Sequence, residues 1–109
     1  MNRKTESVVV LVTTPELHEA QRIAGLLLNE RVAACVNIVP ALQSSFWWQG
    51  KVDSADESLL IVKTKATLLD ELIEMVRKNH SYDVPEIIAL PIVGGNEDYL
   101  KWLDEETLD

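Results

Sequence analysis

The apolar positions of this chain form short β-branched runs, separated by segments in which apolar residues recur every three or four positions. The first run, 7–12, has no polar alternation, which is typical of a strand buried on both faces. Thr14 is predicted to cap the helix that follows, with Pro15 at its first position. The apolar side of this helix is formed by Leu17, Ala20, Ile23, Ala24, Leu27 and Leu28.

The middle of the chain predicts three further strands. Residues 32–39 form the second strand, which ends at a bend at Pro40, and residues 42–52 form the third. A turn over 53–56 leads to the fourth strand, 57–65, and Gly50 suggests a bulge or turn just before it. These segments form a long hairpin at the centre of the chain.

The last third of the chain predicts a helix and a fifth strand. Thr67 and Asp70 resemble a capping box, and the helix that they open runs to about Asn79. Residues 86–93 form the fifth strand. Pro91 inside this strand favours a sheet edge or a local break in pairing, because proline cannot donate a hydrogen bond to a neighbouring strand.

The order of the elements indicates the fold class. With 32–39 and 42–52 counted together as one bent arm of the long hairpin, the order is strand, helix, strand, strand, helix and strand, followed by a short helix that Asn96 caps. This α+β order is the ferredoxin-like β-α-β-β-α-β sandwich, here with an extended middle hairpin and a short C-terminal helix. A chain of 109 residues has room for a single domain, 1–109, in which 1–6 and 105–109 are expected to be frayed ends.

The strands that are apolar on both faces predict self-association. Two helices cover only one face of a ferredoxin-like sheet, whereas 7–12, 57–65 and 86–93 are apolar at nearly every position. The short chain has no spare element for the second face. Another copy of the chain is the simplest cover, so the pattern predicts an oligomer.

Charge and composition exclude several classes of partner. The formal net charge is -8, whereas binding to nucleic acid needs a basic face, so no nucleic acid is expected. The apolar runs fall far short of the ~20 residues that a bilayer needs, so no membrane contact is expected. Cys35 is the single cysteine and cannot form an internal disulfide, which fits a reducing, cytoplasmic location.

The densest group of reactive side chains lies in 79–86, between a helix and a strand. It comprises an imidazole, a phenol and two carboxylates, from His80, Tyr82, Asp83 and Glu86. Pro85 fixes its own backbone and favours an extended conformation for the residue before it. The polar groups therefore stand on a constrained turn, which is the predicted functional surface.

Cys35 and His80 are the candidate metal ligands. A thiol in the middle of a strand is usually a small hydrophobic residue, and it is also a soft ligand that prefers Cu(I). His80, near the end of a helix, suits a structural role as well as ligand binding. Neither residue has a partner at metal-ligand spacing, so a site for copper or another divalent cation has to assemble in three dimensions or across subunits.

Lys63 is a charged residue inside an apolar strand. Such a lysine reaches solvent, pairs with a carboxylate or binds an anion. Glu86 is its predicted partner, either in a structural ion pair or in a site that binds an anion or transfers a proton. Both alternatives are open at this stage.

Two pairs of aromatic residues are candidates for packing or ligand contact. Trp47 and Trp48 point to opposite faces of a strand, so one is expected in the core or an interface and the other partly exposed. Tyr99 and Trp102 lie three residues apart on the last helix, which favours a shared place in the core.

Five segments, in this order along the chain, resemble the CutA divalent-cation-tolerance family: AACVNI (33–38), SSFWWQG (44–50), LIVKT (60–64), HSYDVPEI (80–87) and YLKW (99–102). The resemblance runs from about Ser7 to Trp102. The chain departs from the family pattern at Phe46, where the family usually has Tyr, and at Ser81, where it usually has Pro. The first departure removes a hydroxyl near the aromatic hairpin, and the second loosens one turn.

This resemblance implies a homotrimer similar in architecture to the PII signalling proteins, with a role in tolerance to copper and other divalent metals. It implies no catalytic reaction, and no serine or cysteine here forms a nucleophile motif, so no enzyme is expected. The predicted ligand-binding residues are Trp48, Lys63, Tyr82 and Glu86, with Cys35 and His80 as metal ligands near the subunit boundary. A PII-like sensor of a small anionic metabolite and a highly stable structural trimer are the alternatives.

Overall fold

The computed structural model describes residues 6–108, which form a layer of helices on a four-stranded antiparallel sheet. The elements in chain order are β1 (Ser7–Thr14), α1 (Leu17–Asn29), β2 (Cys35–Trp48), β3 (Lys51–Lys65), a 3₁₀ helix (Ala66–Leu68), α2 (Leu69–Asn79), β4 (Ile87–Pro91) and α3 (Glu97–Glu105). None of these helices is long and apolar enough to cross a membrane.

The sheet has the strand order β2-β3-β1-β4, with every neighbouring pair antiparallel. This topology confirms the predicted α+β class and the ferredoxin-like order of elements. β4 lies at a sheet edge, where Pro91 pairs with Val8, as the sequence predicted. β2 lies at the other edge, and its far half extends with β3 as a long hairpin.

The core lies between the helices and one face of the sheet. Alternate residues of β1, such as Val10 and Val12, are fully buried against α1 and α2. Their counterparts from the helices are Ile23, Leu27, Leu72 and Val76. Burying each large aliphatic side chain of this kind contributes about 1.5–3 kcal/mol, so this layer holds the fold together.

The second face of the sheet is also apolar but remains partly exposed in the single subunit. Val9, Leu11 and Ile61 are partly buried on neighbouring strands, and their cross-strand neighbours Ile88 and Leu90 are 50% and 49% exposed. The predicted two-faced apolar strands are therefore present in β1, β3 and β4.

The middle hairpin differs from its prediction. β2 continues through Pro40, with a bulge between Val39 and Leu42, and the chain reverses at Gln49 and Gly50 and not at 53–56. Pro40 is accommodated because it lies at a bulge on an edge strand, where its missing N–H group breaks no regular pairing. The reversal has φ of 49° and 84° at its two residues, the left-handed geometry that suits a two-residue hairpin turn.

Two helix starts also differ from their predictions. Thr14 belongs to β1, and the side chain of Glu16 caps α1 by accepting the N–H of Glu19. Thr67 lies in the 3₁₀ helix before α2, and no side chain caps α2, so the expected box with Asp70 is absent. A tight 3₁₀ turn satisfies the first amides of α2 in its place.

The C-terminal segment is ordered by contacts with the rest of the chain. The Thr107 hydroxyl is buried and donates to Leu103 O, and Leu108 N–H donates to Arg31 O at 3.0 Å. Arg31 also pairs with Glu106 at 3.0 Å. These contacts join 105–108 to the rest of the fold, whereas 1–5 and 109 of the predicted frayed ends lie outside the described residues; fraying of the ends stays a prediction.

Candidate functional site

An open groove of about 880 Å³ lies between the middle hairpin and the loop that connects α2 to β4. The groove is lined by Thr13, Ser44, Ser45, Phe46, Trp48, Asp53, Glu57, Ser81, Tyr82, Asp83, Val84 and Glu86. Its size falls within the range of small-molecule sites. The hairpin supplies one wall, and the predicted functional turn supplies the other.

The groove is acidic and partly aromatic. Among residues 6–108, its lining includes the carboxylates of Asp53, Glu57, Asp83 and Glu86, and no lysine, arginine or histidine. The rings of Phe46, Trp48 and Tyr82 lie among these acids. Carboxylates attract cations, and the faces of aromatic rings carry a negative potential, so both kinds of side chain favour a positively charged ligand.

Glu57 is the buried acid of the groove, with only 8% of its surface exposed. Its Oε2 accepts a hydrogen bond from the Tyr82 hydroxyl at 2.9 Å. No cationic side chain within residues 6–108 pairs with this carboxylate, and its Oε1 has no hydrogen-bond partner there. A buried negative charge without a counter-ion is costly, so Glu57 is poised to receive a cation.

Tyr82 is held as a hydrogen-bond donor to Glu57. Burial raises the pKa of Tyr82 to about 12, and the hydrogen bond to Glu57 and the negative charges of Glu57 and Glu19 act in the same direction. The phenol therefore remains protonated at neutral pH, and it fixes the orientation of the Glu57 carboxylate.

His80 holds the backbone of the loop that carries Tyr82, and its side chain is completely buried. Its Nδ1 accepts Tyr82 N–H at 3.0 Å, so Nε2 carries the ring proton and donates to Thr13 O at 2.7 Å. Glu19 lies 3.4 Å from Nδ1, but this contact is not an ion pair in that tautomer, because Nδ1 is already an acceptor. Both ring nitrogens are occupied, which makes His80 a structural residue within the subunit.

Helix α1 holds the same loop through two side chains, the nearly buried Glu19, which is 11% exposed, and the exposed Arg22. The Glu19 carboxylate accepts Ser81 N–H at 2.9 Å, and Arg22 donates to Asn79 O at 2.8 Å. Both contacts hold the backbone next to His80. The loop thus keeps its shape although Ser81 stands where the resemblance leads one to expect proline.

Cys35 and Lys63 lie away from the groove, opposite one another on β2 and β3. The Lys63 ammonium donates to Asn37 Oδ1 and lies 3.9 Å from Cys35 Sγ. The predicted ion pair of Lys63 with Glu86 is therefore wrong, because Glu86 lines the groove instead. The error arose because the register that separates the start of β4 from Lys63 is not visible in the sequence.

Tyr99, on α3, lies close to Cys35. Burial raises the pKa of Tyr99, and the charge of Cys35 and a hydrogen bond with it act in the same direction. The Tyr99 and Trp102 rings contact each other at a centroid distance of 5.5 Å, but each residue is 40% exposed. This pair is not part of the core, contrary to the prediction.

The predicted metal ligands do not meet within one subunit. Cys35 on β2 is paired with Lys63 on β3, which is paired in turn with Val9 on β1. His80 contacts Thr13, which lies four residues and about 13 Å further along β1 than Val9. Among residues 6–108, no three histidine, cysteine or acidic side chains are grouped so that they could hold a metal ion. A lysine beside the thiol and the occupied ring of His80 fit a metal centre poorly, so any such centre needs ligands from another subunit.

The structure therefore divides the predicted site residues into separate groups. Trp48, Tyr82 and Glu86 meet in the groove, whereas Cys35 and Lys63 lie elsewhere on the sheet. Trp47 and Trp48 are 75% and 59% exposed, so neither is in the core of a single subunit.

Two acids of the groove, Glu57 and Asp53, are not among the site residues that the sequence predicts. The sequence pattern places Asp53 in a turn and Glu57 at the start of a strand. Their spacing of four residues was the available signal, because residues i and i+4 of one strand lie on the same face.

Comparison with known proteins gives a consistent result. The family model described as CutA1 divalent ion tolerance protein matches residues 8–106. A curated rice (Oryza sativa subsp. japonica) protein, "Protein CutA 1, chloroplastic", is 55% identical over 101 residues, covering 93% of this chain and 57% of the relative. The "Divalent-cation tolerance protein CutA" of Thermus thermophilus is 52% identical over 99 residues, covering 91% of this chain and 96% of the relative.

The fold is also that of a solved structure. The crystal structure of CutA1 from Oryza sativa superposes with a TM-score of 0.94 at 53% identity, covering 96% of both chains. The chain spans less than three fifths of two plant relatives, 57% of the rice protein and 58% of an Arabidopsis thaliana protein.

Proposed function

Because this chain belongs to the CutA1 divalent ion tolerance family, we propose that it is a homotrimer that binds a cation in the acidic groove beside Glu57. The observation that carries the proposal is the buried Glu57 carboxylate, which lacks a cationic partner among residues 6–108. A bound cation supplies the missing charge and leaves the hydrogen bond from Tyr82 intact.

The groove favours a cation over an anion. An anionic metabolite, as in a PII-like sensor, needs basic groups, and none from the described part of the chain, 6–108, lines the groove. Lys63, the basic residue predicted for that role, already donates to Asn37 on the sheet. The anion-sensor alternative is therefore the weaker proposal for this surface.

The second face of the sheet supports self-association, and the family resemblance is the reason for proposing a trimer. Leu11, Ile61 and Ile88 lie on adjacent strands of that face and leave apolar surface accessible. Residues that alternate along β3 place Glu57 at the end of the same face. A neighbouring subunit on this face would lie next to the groove, in agreement with a ligand site near the subunit boundary.

The remaining expectations are parts of the same proposal. We expect a binding role without catalysis, and a copper site at Cys35 only if a neighbouring subunit supplies further ligands. The cytoplasmic location rests on the single cysteine. The rice relative is described as chloroplastic, so location differs from the expectation in at least that member.

Isothermal titration calorimetry tests the proposal directly. The trimeric protein is titrated with MnCl₂, with CuCl₂ and with organic ammonium salts, and the titrations are repeated with Glu57→Gln. We expect at least one cation to bind the unmodified protein and to bind Glu57→Gln about tenfold more weakly, because the carboxylate charge that attracts the cation is removed.

The matched control is Glu74→Gln, which removes an exposed carboxylate on α2 that pairs with Lys78 at 3.3 Å. This change leaves the groove untouched and should leave binding unchanged. If no cation binds, or if every cation binds Glu57→Gln as well as the unmodified protein, the groove is not a cation site.

A further inference from the structure

The geometry of the groove points to a linear organic diammonium ion as its ligand, a molecule of the aliphatic diamine and polyamine class with charged groups at both ends. We infer that one ammonium group binds the Glu57 carboxylate and the other binds Asp53. This inference rests on the proposed cation-binding function and names the chemical class of the ligand.

The two carboxylates are spaced along one strand. Asp53, Ala55 and Glu57 alternate on one face of β3, so the two acids lie about 13 Å apart. This separation is too large for one metal ion, whose oxygen ligands lie within about 2.6 Å of it. It suits an extended chain with a positive charge at each end.

Small residues and aromatic rings line the path along the hairpin. Ser44 is paired with Ala55, midway between the two acids, and both side chains are small. Phe46 is paired with Asp53, and Trp48 lies two residues further along the same face. Methylene groups of a ligand can lie over the small pair, and an ammonium group at Asp53 lies beside an aromatic ring, which favours cations.

The loop between α2 and β4 adds negative charge to the groove, but it does not create a metal site. Asp83 and Glu86 face the groove from the turn after α2. No three acidic, histidine or cysteine side chains of residues 6–108 converge closely enough to coordinate a metal ion. Dispersed carboxylates therefore surround the ligand with negative potential, which a flexible polycation can match along its length.

Calorimetry with a matched set of amines tests this inference on the intact trimer. The probes are the eight-carbon α,ω-diamine, the three-carbon α,ω-diamine and n-octylammonium, each as its chloride, with MnCl₂ and CuCl₂ as inorganic arms. We expect the eight-carbon diamine to bind about tenfold more tightly than either other amine, because only it reaches both carboxylates.

Two variants test the two proposed carboxylate contacts separately. Glu57→Gln should weaken binding of the long diamine about tenfold or more, and Asp53→Asn should reduce its affinity to that of n-octylammonium. The Asp53 carboxylate accepts Ser54 N–H at 2.8 Å, and the amide oxygen of the substituted side chain can accept the same bond, so the hairpin keeps its local contact. Glu74→Gln should change nothing.

The outcomes separate this inference from the broader proposal. If MnCl₂ or CuCl₂ binds through Glu57 and no amine does, the groove is a cation site but the diammonium inference is wrong. Equal affinities for the long diamine and n-octylammonium contradict the role of Asp53. If no cation binds, or if Glu57→Gln dissociates the trimer because Glu57 pairs with a neighbouring subunit, both proposals fail.

Discussion

The hydrogen bond from Tyr82 to Glu57 is the central contact of the groove. A nearly buried carboxylate is oriented by a phenol, and the phenol is oriented in turn by His80 through the Tyr82 backbone. Each step in this chain is a directional contact of 3.0 Å or less. The pair is therefore held in place before any ligand arrives, which lowers the cost of binding.

The first prediction concerns the ionisation of Tyr82. In a Tyr99→Phe background, which leaves Tyr82 as the only tyrosine, ultraviolet absorbance should show ionisation near pH 12. Adding Glu57→Gln should move the midpoint toward the ordinary value of 10.0, because the negative charge that opposes phenolate formation is removed. An unchanged midpoint in the double variant would show that Glu57 does not act on Tyr82.

The same shift predicts the sign of a pH effect on stability. The folded state binds the Tyr82 proton more tightly than the unfolded state, so the stabilisation is fully present below pH 10 and is lost as pH rises toward 12. Thermal melts between pH 9 and 12 should therefore show a smaller loss of stability in Tyr82→Phe than in the unmodified protein. Parallel curves would contradict this linkage.

The second prediction separates a structural His80 from a ligand. His80→Ala leaves Thr13 O and Tyr82 N–H without partners, so the free energy of unfolding should fall by about 2–4 kcal/mol. His18→Ala, at the exposed side of α1, is the matched control and should change stability by less than about 0.5 kcal/mol. Equal melting temperatures for the two variants would remove the structural role of His80.

At the scale of elements, the helices were easier to predict than the hairpin. The apolar spacing of α1 and α2 is local, and so is the cap of α3 by Asn96, whose side chain accepts Asp98 N–H. The hairpin depends on a reversal at Gln49 and Gly50, and glutamine carries little signal for a left-handed turn. Asp53–Asp56, in contrast, has a composition typical of turns although it lies in a strand.

This error explains why half of the candidate site was not predicted. The groove residues of the loop between α2 and β4 lie in one contiguous stretch of sequence, so Tyr82 and Glu86 could be predicted as site residues. The hairpin wall depends on which residues of β2 and β3 are opposite each other, as Phe46 and Asp53 are. Such pairing is fixed by the turn and the bulge together, and neither is evident from apolar periodicity.

The third prediction tests the hairpin turn with two glycine substitutions. Gly50→Ala places a side chain at φ 84° and should lower the free energy of unfolding by about 1 kcal/mol. Gly25→Ala lies inside α1, with no atom within 4 Å of the added carbon, and should raise it by about 0.5–1 kcal/mol. The check is the thermal midpoint of both variants at one protein concentration; effects of the same sign would contradict the turn geometry.

At the scale of the whole molecule, the two faces of the sheet have different roles. One face packs against α1 and α2 as the core, whereas the other leaves Ile88 and Leu90 about half exposed. Residues at the end of this second face, Glu57 among them, line the groove. Self-association and ligand binding are therefore expected to involve adjoining parts of the same surface.

The fourth prediction concerns the mass in solution. Sedimentation equilibrium should give three times the subunit mass of 12.3 kDa. Ile88→Asp should dissociate the assembly, because it places a charge on the apolar face, whereas Leu17→Asp on α1 should leave the mass unchanged. A monomeric unmodified protein at micromolar concentration would leave the second face unexplained.

The central claim, that Glu57 receives a cation, is tested most directly by a crystal structure of the intact assembly soaked with the eight-carbon α,ω-diamine. The predicted result is a nitrogen atom at hydrogen-bonding distance from the Glu57 carboxylate, with the chain extending along the hairpin toward Asp53. Crystals of Glu57→Gln soaked in the same way should lack this density. A lysine or arginine of a neighbouring subunit on Glu57, with the diamine elsewhere or absent, would contradict the account.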